Sequence, residues 1–507
     1  MSMLPAPGRP GNLTAEQEEK LREFWLALLK VFGVPTESSQ HGGDNEHVDS
    51  TVVNGEVRAP EEMGLQSRTD TAGSEKKKKK SKTFFSRKSK KSQSTEPAPT
   101  TSTKSSASQP VSSSSDGDDK YGQTKAFKAA LASQSPEDLR AAFWSMVKHD
   151  HPDSLLLRFL RARKWDVEKA LVMLVSTMHW RYSEMHVDDD VIKVGEAGAV
   201  DAAKSSTEPA KKEGEEFLTQ LRLGKSFLHG VDKEGRPICV VRVRLHKQGE
   251  QSEKTMERYT VYIIETARLF LKAPVDTAAV LFDMTGFSLA NMVGSSLQKN
   301  SEHQTQAYDA QDYAPVKFMI KCFEANYPES LGVVLVHKAP WVFQGIWNII
   351  KGWLDPVVAS KIHFTKTIEE LEHFIPKNHI LKDLGGEEDW SYQFIEPQAN
   401  ENHQMSDNEA REALLTERES RVEDFEKATI SWIESGDSSG SKSKRDGLAS
   451  SLAENYWKLD PYTRARTLYD RTGVLKPGGY LDFYPQSDGV QSGDRIPVPE
   501  PHANDVD

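Results

Sequence analysis

Apolar residues recur at helical spacing near the start of the chain. Leu21, Phe24, Trp25, Leu28 and Phe32 repeat every three or four positions, and Thr14 with Gln17 three residues on has the form of a capping box. The pattern predicts an amphipathic helix over 14–32 whose apolar face needs a partner. From about 36 to 120 the periodicity disappears and Ser, Thr, Gly, Pro and Lys dominate. So little apolar surface does not offset the entropy of ordering a chain, so 36–134 is expected to be a disordered insertion. Order should resume at Ser135-Pro136-Glu137. A capped helix follows Asp166, with Val167, Leu171, Leu174, Val175 and Met178 on one side, and the helical pattern runs to about 185.

After a connection rich in Ala, Lys and Glu, the signal changes to short β-branched runs. Residues 238–245, 278–282 and 333–336 read as strands. Between them, 254–271 and 316–323 read as helices, the latter with Val316, Met319, Ile320 and Phe323 following Pro315 at a helix start. Strands alternating with helices predict an α/β domain with a largely parallel sheet. Beyond 390, Ser406 and Glu409 form a second capping box, Leu415, Val422, Phe425 and Trp432 share a face, and the helix should stop near Gly436. A Ser/Gly/Lys linker then leads to the aromatic stretch 452–475, LAENYWKLDPYTRARTLYDRTGVL, which has the look of a docking segment.

Composition narrows the class. The 507 residues carry 65 basic and 76 acidic side chains, a net charge of −11, which excludes an overall basic nucleic-acid binder. Only 37% of residues are apolar and the mean hydropathy is −0.62, as expected for one core carried with long unstructured segments. The two cysteines, Cys239 and Cys322, are too few for a disulfide framework and lack zinc spacing, so a reducing, cytoplasmic setting is expected, with no metal or cofactor. The start has no apolar signal-peptide core. The greasiest stretch, 341–354, is interrupted by Gln344, Asn348 and Lys351 and is shorter than the roughly 18 residues of a membrane span. A chain neither secreted nor membrane-spanning is expected.

Four segments bear on chemistry. TQLRLGKS at 219–226 falls one residue short of a phosphate loop and has Thr219 where glycine should stand; it reads better as a strand leading to the Asp232-Lys233-Glu234-Gly235 turn. GFSLA at 286–290 imitates a nucleophile elbow, with Asp355 and His363 or His379 as downstream partners for Ser288, a pattern that chance also supplies among 15 histidines. KKKKKSKTFFSRKSKK at 76–91 holds ten of the 65 basic residues and no acid, so the rest of the chain carries −21 rather than −11. Lys76, Lys77, Lys78, Lys79 and Lys80 suit anionic lipid, Phe84 and Phe85 suit its interface, and phosphates on Ser81, Ser86 or Ser89 would weaken the contact. A nuclear-import signal or a solvated linker has the same composition. Finally, WVFQGIWNIIKGWL at 341–354 confines its polar residues to one stripe. That suits a core helix or, with three tryptophans, a lid facing a pocket or membrane interface.

Four motifs occur in order: LLRFLRARK at 156–164, DMTG at 283–286, NYPE at 326–329 and LDPVVASKI at 354–362. With them the chain resembles the CRAL-TRIO family, in particular its fungal phosphatidylinositol-transfer proteins. The resemblance covers 135–390 and the first helix. It implies an α/β CRAL-TRIO lipid-binding lobe at 215–392, with a mixed, largely parallel sheet and an apolar cavity. Before it should stand an all-helical N-terminal subdomain made of 135–190 and the helix within 1–35. A helical extension with disordered linkers, 404–507, should follow. Family members hold the phosphoinositol head through positions that here are Arg163, Lys164, Glu329 and Lys361. The gate helix would present Trp341, Phe343, Trp347, Ile350, Trp353 and Leu354. Three positions depart from the pattern: Val358 replaces a phosphate-binding threonine, and Ala278 and Val280 replace the hydroxyl residues of members that also carry phosphatidylcholine. The implied function is a non-enzymatic lipid carrier, peripheral on internal membranes, that exchanges phosphatidylinositol without robust phosphatidylcholine exchange and so feeds phosphoinositide synthesis. Its partners would be that lipid and a membrane surface, not nucleic acid. A carrier of sterol, squalene or another apolar ligand is the alternative within the fold, and a serine hydrolase using Ser288 the alternative outside it.

Overall fold

Five short helices gather the apolar stripes of the N-terminal half. The computed structural model describes residues 5–35, 119–292, 313–435 and 439–484, within a unit made of 1–36 and 116–507. Helix α1, Ala15–Val31, begins at Thr14, whose side chain accepts from the Gln17 amide while Gln17 returns the bond, the expected capping box. Helices α2 (Gln123–Ser133), α3 (Pro136–Val147), α4 (Pro152–Ala162) and α5 (Val167–His179) follow, with Ser135 and Asp166 capping α3 and α5. Trp25, Phe143, Trp144 and Phe159 lie at the centre of their common core. Order therefore begins before 134, where the insertion was expected to end. Helix α2 is rich in strong helix formers, four alanines, two lysines and a leucine, but buries only Gln123 and Ala130 with Phe127 packed partly on the core, so its signal is propensity and not a wide apolar stripe. The segment 76–91, with Phe84 and Phe85, lies outside the described residues.

The Ala/Lys/Glu-rich connection is helical: α6 spans Lys193–Ala203 and α7 Glu208–Leu223. Of 219–226, expected as a strand leading to the 232–235 turn, residues up to 223 are the end of α7, closed by Gly224 at φ +61°, where the missing Cβ permits the left-handed cap; the strand to that turn begins only at Ser226. The lobe then runs β1 (Ser226–Val231), β2 (Pro237–Arg242), α8 (Glu253–Arg268), β3 (Ala278–Asp283) and α9 (Ala314–Lys321). It continues through β4 (Leu331–His337), α10 (Phe343–Lys351), α11 (Pro356–Ser360), β5 (Ile362–Thr365) and α12 (Ile368–Leu371). The sheet order is β1-β2-β3-β4-β5, antiparallel between β1 and β2 and parallel elsewhere. Alternation sorts the strand residues onto two faces. Ile238, Val240, Ala279, Leu281, Val333 and Leu335 pack with Leu371, Ile375 and Leu384. Cys239, Val280, Val334 and Val336 point to the other face and share a core with Tyr259 and Ile263 of α8 and Ile346 of α10.

The C-terminal segment completes the helical half. Helices α13 (Asn408–Ser435) and α14 (Ser439–Thr463) run antiparallel, and Val422, Phe425, Trp432, Ala449 and Leu452 enter the core around Trp25. The cap of α13 is Asp407, which accepts from the Ala410 amide at 3.0 Å, rather than Ser406, and Leu415 faces solvent. Most of the expected Ser/Gly/Lys linker belongs to α14. The aromatic stretch docks on the lobe through α15 (Leu468–Arg471): the Leu468 amide donates to Glu196 at 3.0 Å, and Tyr469 OH accepts from the Leu228 amide of edge strand β1 at 2.6 Å. Gly195, at φ +52°, admits this approach, since a Cβ there would lie 2.8 Å from Ala465 Cβ. No helix among the described residues is long and apolar enough to cross a membrane.

Candidate functional site

Glu329 and Lys361 lie at the amino ends of two adjacent parallel strands. Glu329 precedes β4 in a left-handed turn (φ +55°), and its carbonyl accepts from Arg158 Nη1 at 2.9 Å. Lys361 closes α11, which Asp355 caps and Pro356 starts, and β5 begins at the next residue. Pairing of β4 with β5 brings the two side chains together: Lys361 Nζ lies 4.0 Å from Glu329 Oε2 and donates to the Leu331 carbonyl at 2.8 Å. Both side chains remain about one quarter exposed, at 25% and 22%. A cation and an acceptor side by side at the surface can bind a ligand carrying both a phosphate and hydroxyls.

Arg163 reaches the same region indirectly. Its guanidinium donates to the Gln123 side-chain carbonyl, and Gln123 Nε2 donates to the Ala325 carbonyl, four residues before Glu329, at 3.3 Å. Lys164 stands in solvent on the turn after α4. Two other basic residues of the same segment do more structural work than the sequence suggested. Arg158 is buried and joins the carbonyls of Glu329 and Asp276, and Arg161 bonds the Gly8 carbonyl and Asp276. Burial, only partly offset by Asp276, pushes the Arg161 pKa down to about 10. Beneath the NYPE turn, the fully buried Glu265 of α8 accepts from Lys148 Nζ (2.7 Å), Arg181 Nη1 (2.5 Å) and Tyr327 OH (2.8 Å). Burial alone would raise its pKa; Arg181, Lys148 and Arg268 outweigh that and hold it well below the usual carboxylate range.

Helix α10 covers part of the apolar sheet face. Ile346 is buried, Phe343, Ile350 and Trp353 pack partly against the core, and Gln344, Asn348 and Lys351 face solvent as the pattern predicted. Phe343 lies 6.0 Å from the Phe287 ring, and Trp347 5.1 Å from Phe364. Trp353 meets Tyr313 at 5.2 Å and Lys317 at 4.9 Å. The helix is shorter than the 14-residue motif: Trp341 precedes it and is 90% exposed, and Leu354 follows it, half-buried. A cleft of about 200 Å³ lined by Met256, Glu257, Ala314 and Phe318 opens between α8 and α9.

The hydrolase arrangement does not form. Ser288 starts a short 3₁₀ turn and its hydroxyl lies 3.3 Å from Asn291 Oδ1. Asp355 caps α11, His363 packs on Phe374, and His379 meets Tyr484. A nucleophile needs a base within hydrogen-bond reach, and among the described residues none of these stands beside Ser288.

Residues 221–386 match the family model described as the CRAL/TRIO domain, and 123–176 the one described as the CRAL/TRIO, N-terminal domain. A CRAL-TRIO domain-containing protein of Schizosaccharomyces pombe is 40% identical over 480 residues, spanning 93% of each chain. The phosphatidylinositol transfer protein CSR1 of Eremothecium gossypii is 40% identical over 481 residues, 94% of this chain and all of that protein. The first matched segment spans the whole sheet and the second runs from α2 into α5, and with relatives 40% identical over more than nine tenths of the chain, the chain belongs to the CRAL-TRIO family.

Proposed function

We propose that this protein is a non-enzymatic carrier that binds phosphatidylinositol in an apolar cavity between the sheet and α10 and exchanges it between membranes, supporting phosphoinositide metabolism. It works in the cytoplasm and docks transiently on internal membranes. The pairing of Lys361 with Glu329 supports the reading most directly: it offers a cation for the phosphodiester and a carboxylate for inositol hydroxyls, with Arg163 and Lys164 as further cations. A relative similar over its whole length bears the name phosphatidylinositol transfer protein. The physical need is plain. A diacyl lipid with ~30 methylenes at ~0.8 kcal/mol each faces ~24 kcal/mol on entering water, so a carrier must shield both chains and then release them. A nine-residue helix with one fully buried side chain, Ile346, suits a cover that moves.

Val358 favours a second reading, a neutral ligand such as sterol or squalene. It packs against the apolar core where a hydroxyl would otherwise serve the phosphate. Lipids extracted from protein purified from a eukaryotic host and identified by mass spectrometry separate the two. Phosphatidylinositol is expected in wild type and absent from Lys361→Ala. A neutral lipid held equally by both would keep the carrier and remove the head-group site.

A further inference from the structure

The stretch of chain leading into α2 is fastened to the far end of α10. Lys120 Nζ and Tyr121 OH both donate to Glu324 Oε2, at 2.7 and 2.6 Å. The other oxygen, Oε1, accepts from the Asp355 amide at 2.7 Å, and Lys120 also donates to the Trp353 carbonyl. Trp353 and Asp355 flank Leu354, where α10 has ended and the cap of α11 begins. The Glu324 side chain is only 7% exposed, so losing a donor leaves a largely desolvated carboxylate without its compensation. Two residues beyond Tyr121, Gln123 bridges Arg163 to the Ala325 carbonyl. One short stretch therefore touches both the end of α10 and an arginine of the proposed head-group site.

We infer that Glu324 is a positioning residue: through it Lys120 and Tyr121 latch the C-terminal end of α10 against the lobe and set how often that end lifts. Beside it, this end of α10 is held by partly exposed packing: Ile350 against the core and Trp353 against Tyr313 and Lys317. Nine residues make a marginal helix in isolation, and its one fully buried side chain, Ile346, lies in its first half. The charge-assisted bonds of Glu324 are the strong ones at its other end. The consequence for lipid release rests on the lid reading given above; the latch itself concerns only the opening of α10.

Hydrogen exchange on the full chain tests it. Amides 349–355 should exchange at least tenfold faster in Glu324→Gln and in Lys120→Met, and by a smaller factor in Tyr121→Phe, which keeps the ring and removes one donor. Amides of β3 and β4 should keep their wild-type rates. Unchanged exchange at 349–355 overturns the latch, as does acceleration spread equally over β3 and β4, which marks general destabilisation. Release of a fluorescent phosphatidylinositol from the same variants separates the two readings. Faster exchange with faster release supports both, whereas faster exchange with unaltered release keeps the latch and removes the lid.

Discussion

Asp153 concentrates the electrostatic logic of the helical half in one side chain. Its carboxylate accepts from Trp25 Nε1 at 2.7 Å and from both terminal nitrogens of Arg445, at 2.9 and 2.5 Å. Burial alone would raise its pKa, but Arg445 and His151 outweigh that and hold the group below the usual carboxylate range. A depressed folded-state pKa contributes stability that is present above the unfolded value, near 4, and lost as pH falls through the folded one. Asp153→Asn leaves the Arg445 guanidinium buried without its counter-charge. Urea unfolding at pH 7, followed by tryptophan fluorescence, should show a loss of about 3–5 kcal/mol. Between pH 5 and pH 3 the variant should then lose less stability than wild type, because one proton-binding site has gone. A loss below about 1 kcal/mol at pH 7 would mean that the pair is not what closes this core.

At the scale of elements, the C-terminal hairpin is the least expected part of the core. Phe425 of α13 is fully buried, its ring 5.8 Å from those of both Trp25 and Trp144. Phe425→Ala should cost about 3–5 kcal/mol in urea unfolding. Ending the chain at residue 403 should expose the apolar faces of α1 and α3 and yield aggregates on gel filtration rather than a monomer. Helix α1, strands β2 to β4 and the polar stripe of α10 were legible in the sequence because each carries its own periodicity or cap. Helices α2 and α14 were not: KAFKAALAS offers helix formers but only a narrow apolar face, and SGSKSKRDGLASS carries five serines and two glycines whose weak propensity docking overrides through Arg445, Ala449 and Leu452. Strand β1 hides a glycine and a histidine, and β5 is four residues long. The site divides in the same way. Glu329 and Lys361 came from motif resemblance, and their adjacency follows from the pairing of β4 with β5. The Arg163–Gln123–Ala325 bridge depends on α2, and nothing local in the sequence announces it.

Across the whole molecule, distant parts of the sequence share one core and charge is segregated. Helix α1 meets α13 and α14 in one core, where Lys442 of α14 pairs with Glu18 of α1, while α15 lies on the lobe through Glu196 and Leu228. Ten basic residues at 76–91 stand against −21 over the rest of the chain. An anionic membrane attracts the first and repels the second. Each lysine or arginine near such a surface is worth about 1 kcal/mol, and the attraction extends over a Debye length of about 10 Å at 0.1 M salt and about 3 Å at 1 M. Binding of the full chain to vesicles containing phosphatidylserine should therefore be strong at 50 mM NaCl and nearly absent at 500 mM. Replacing Lys76, Lys77, Lys78, Lys79 and Lys80 by alanine should weaken it at least tenfold at low salt, since the acidic remainder then dominates. Replacing Phe84 and Phe85 by alanine should weaken binding and leave its salt dependence intact, because apolar insertion is not screened. Equal binding at both salt concentrations, unaffected by the five lysines, would transfer the contact to apolar surface, of which Trp341 beside α10 is the most exposed aromatic side chain among the described residues.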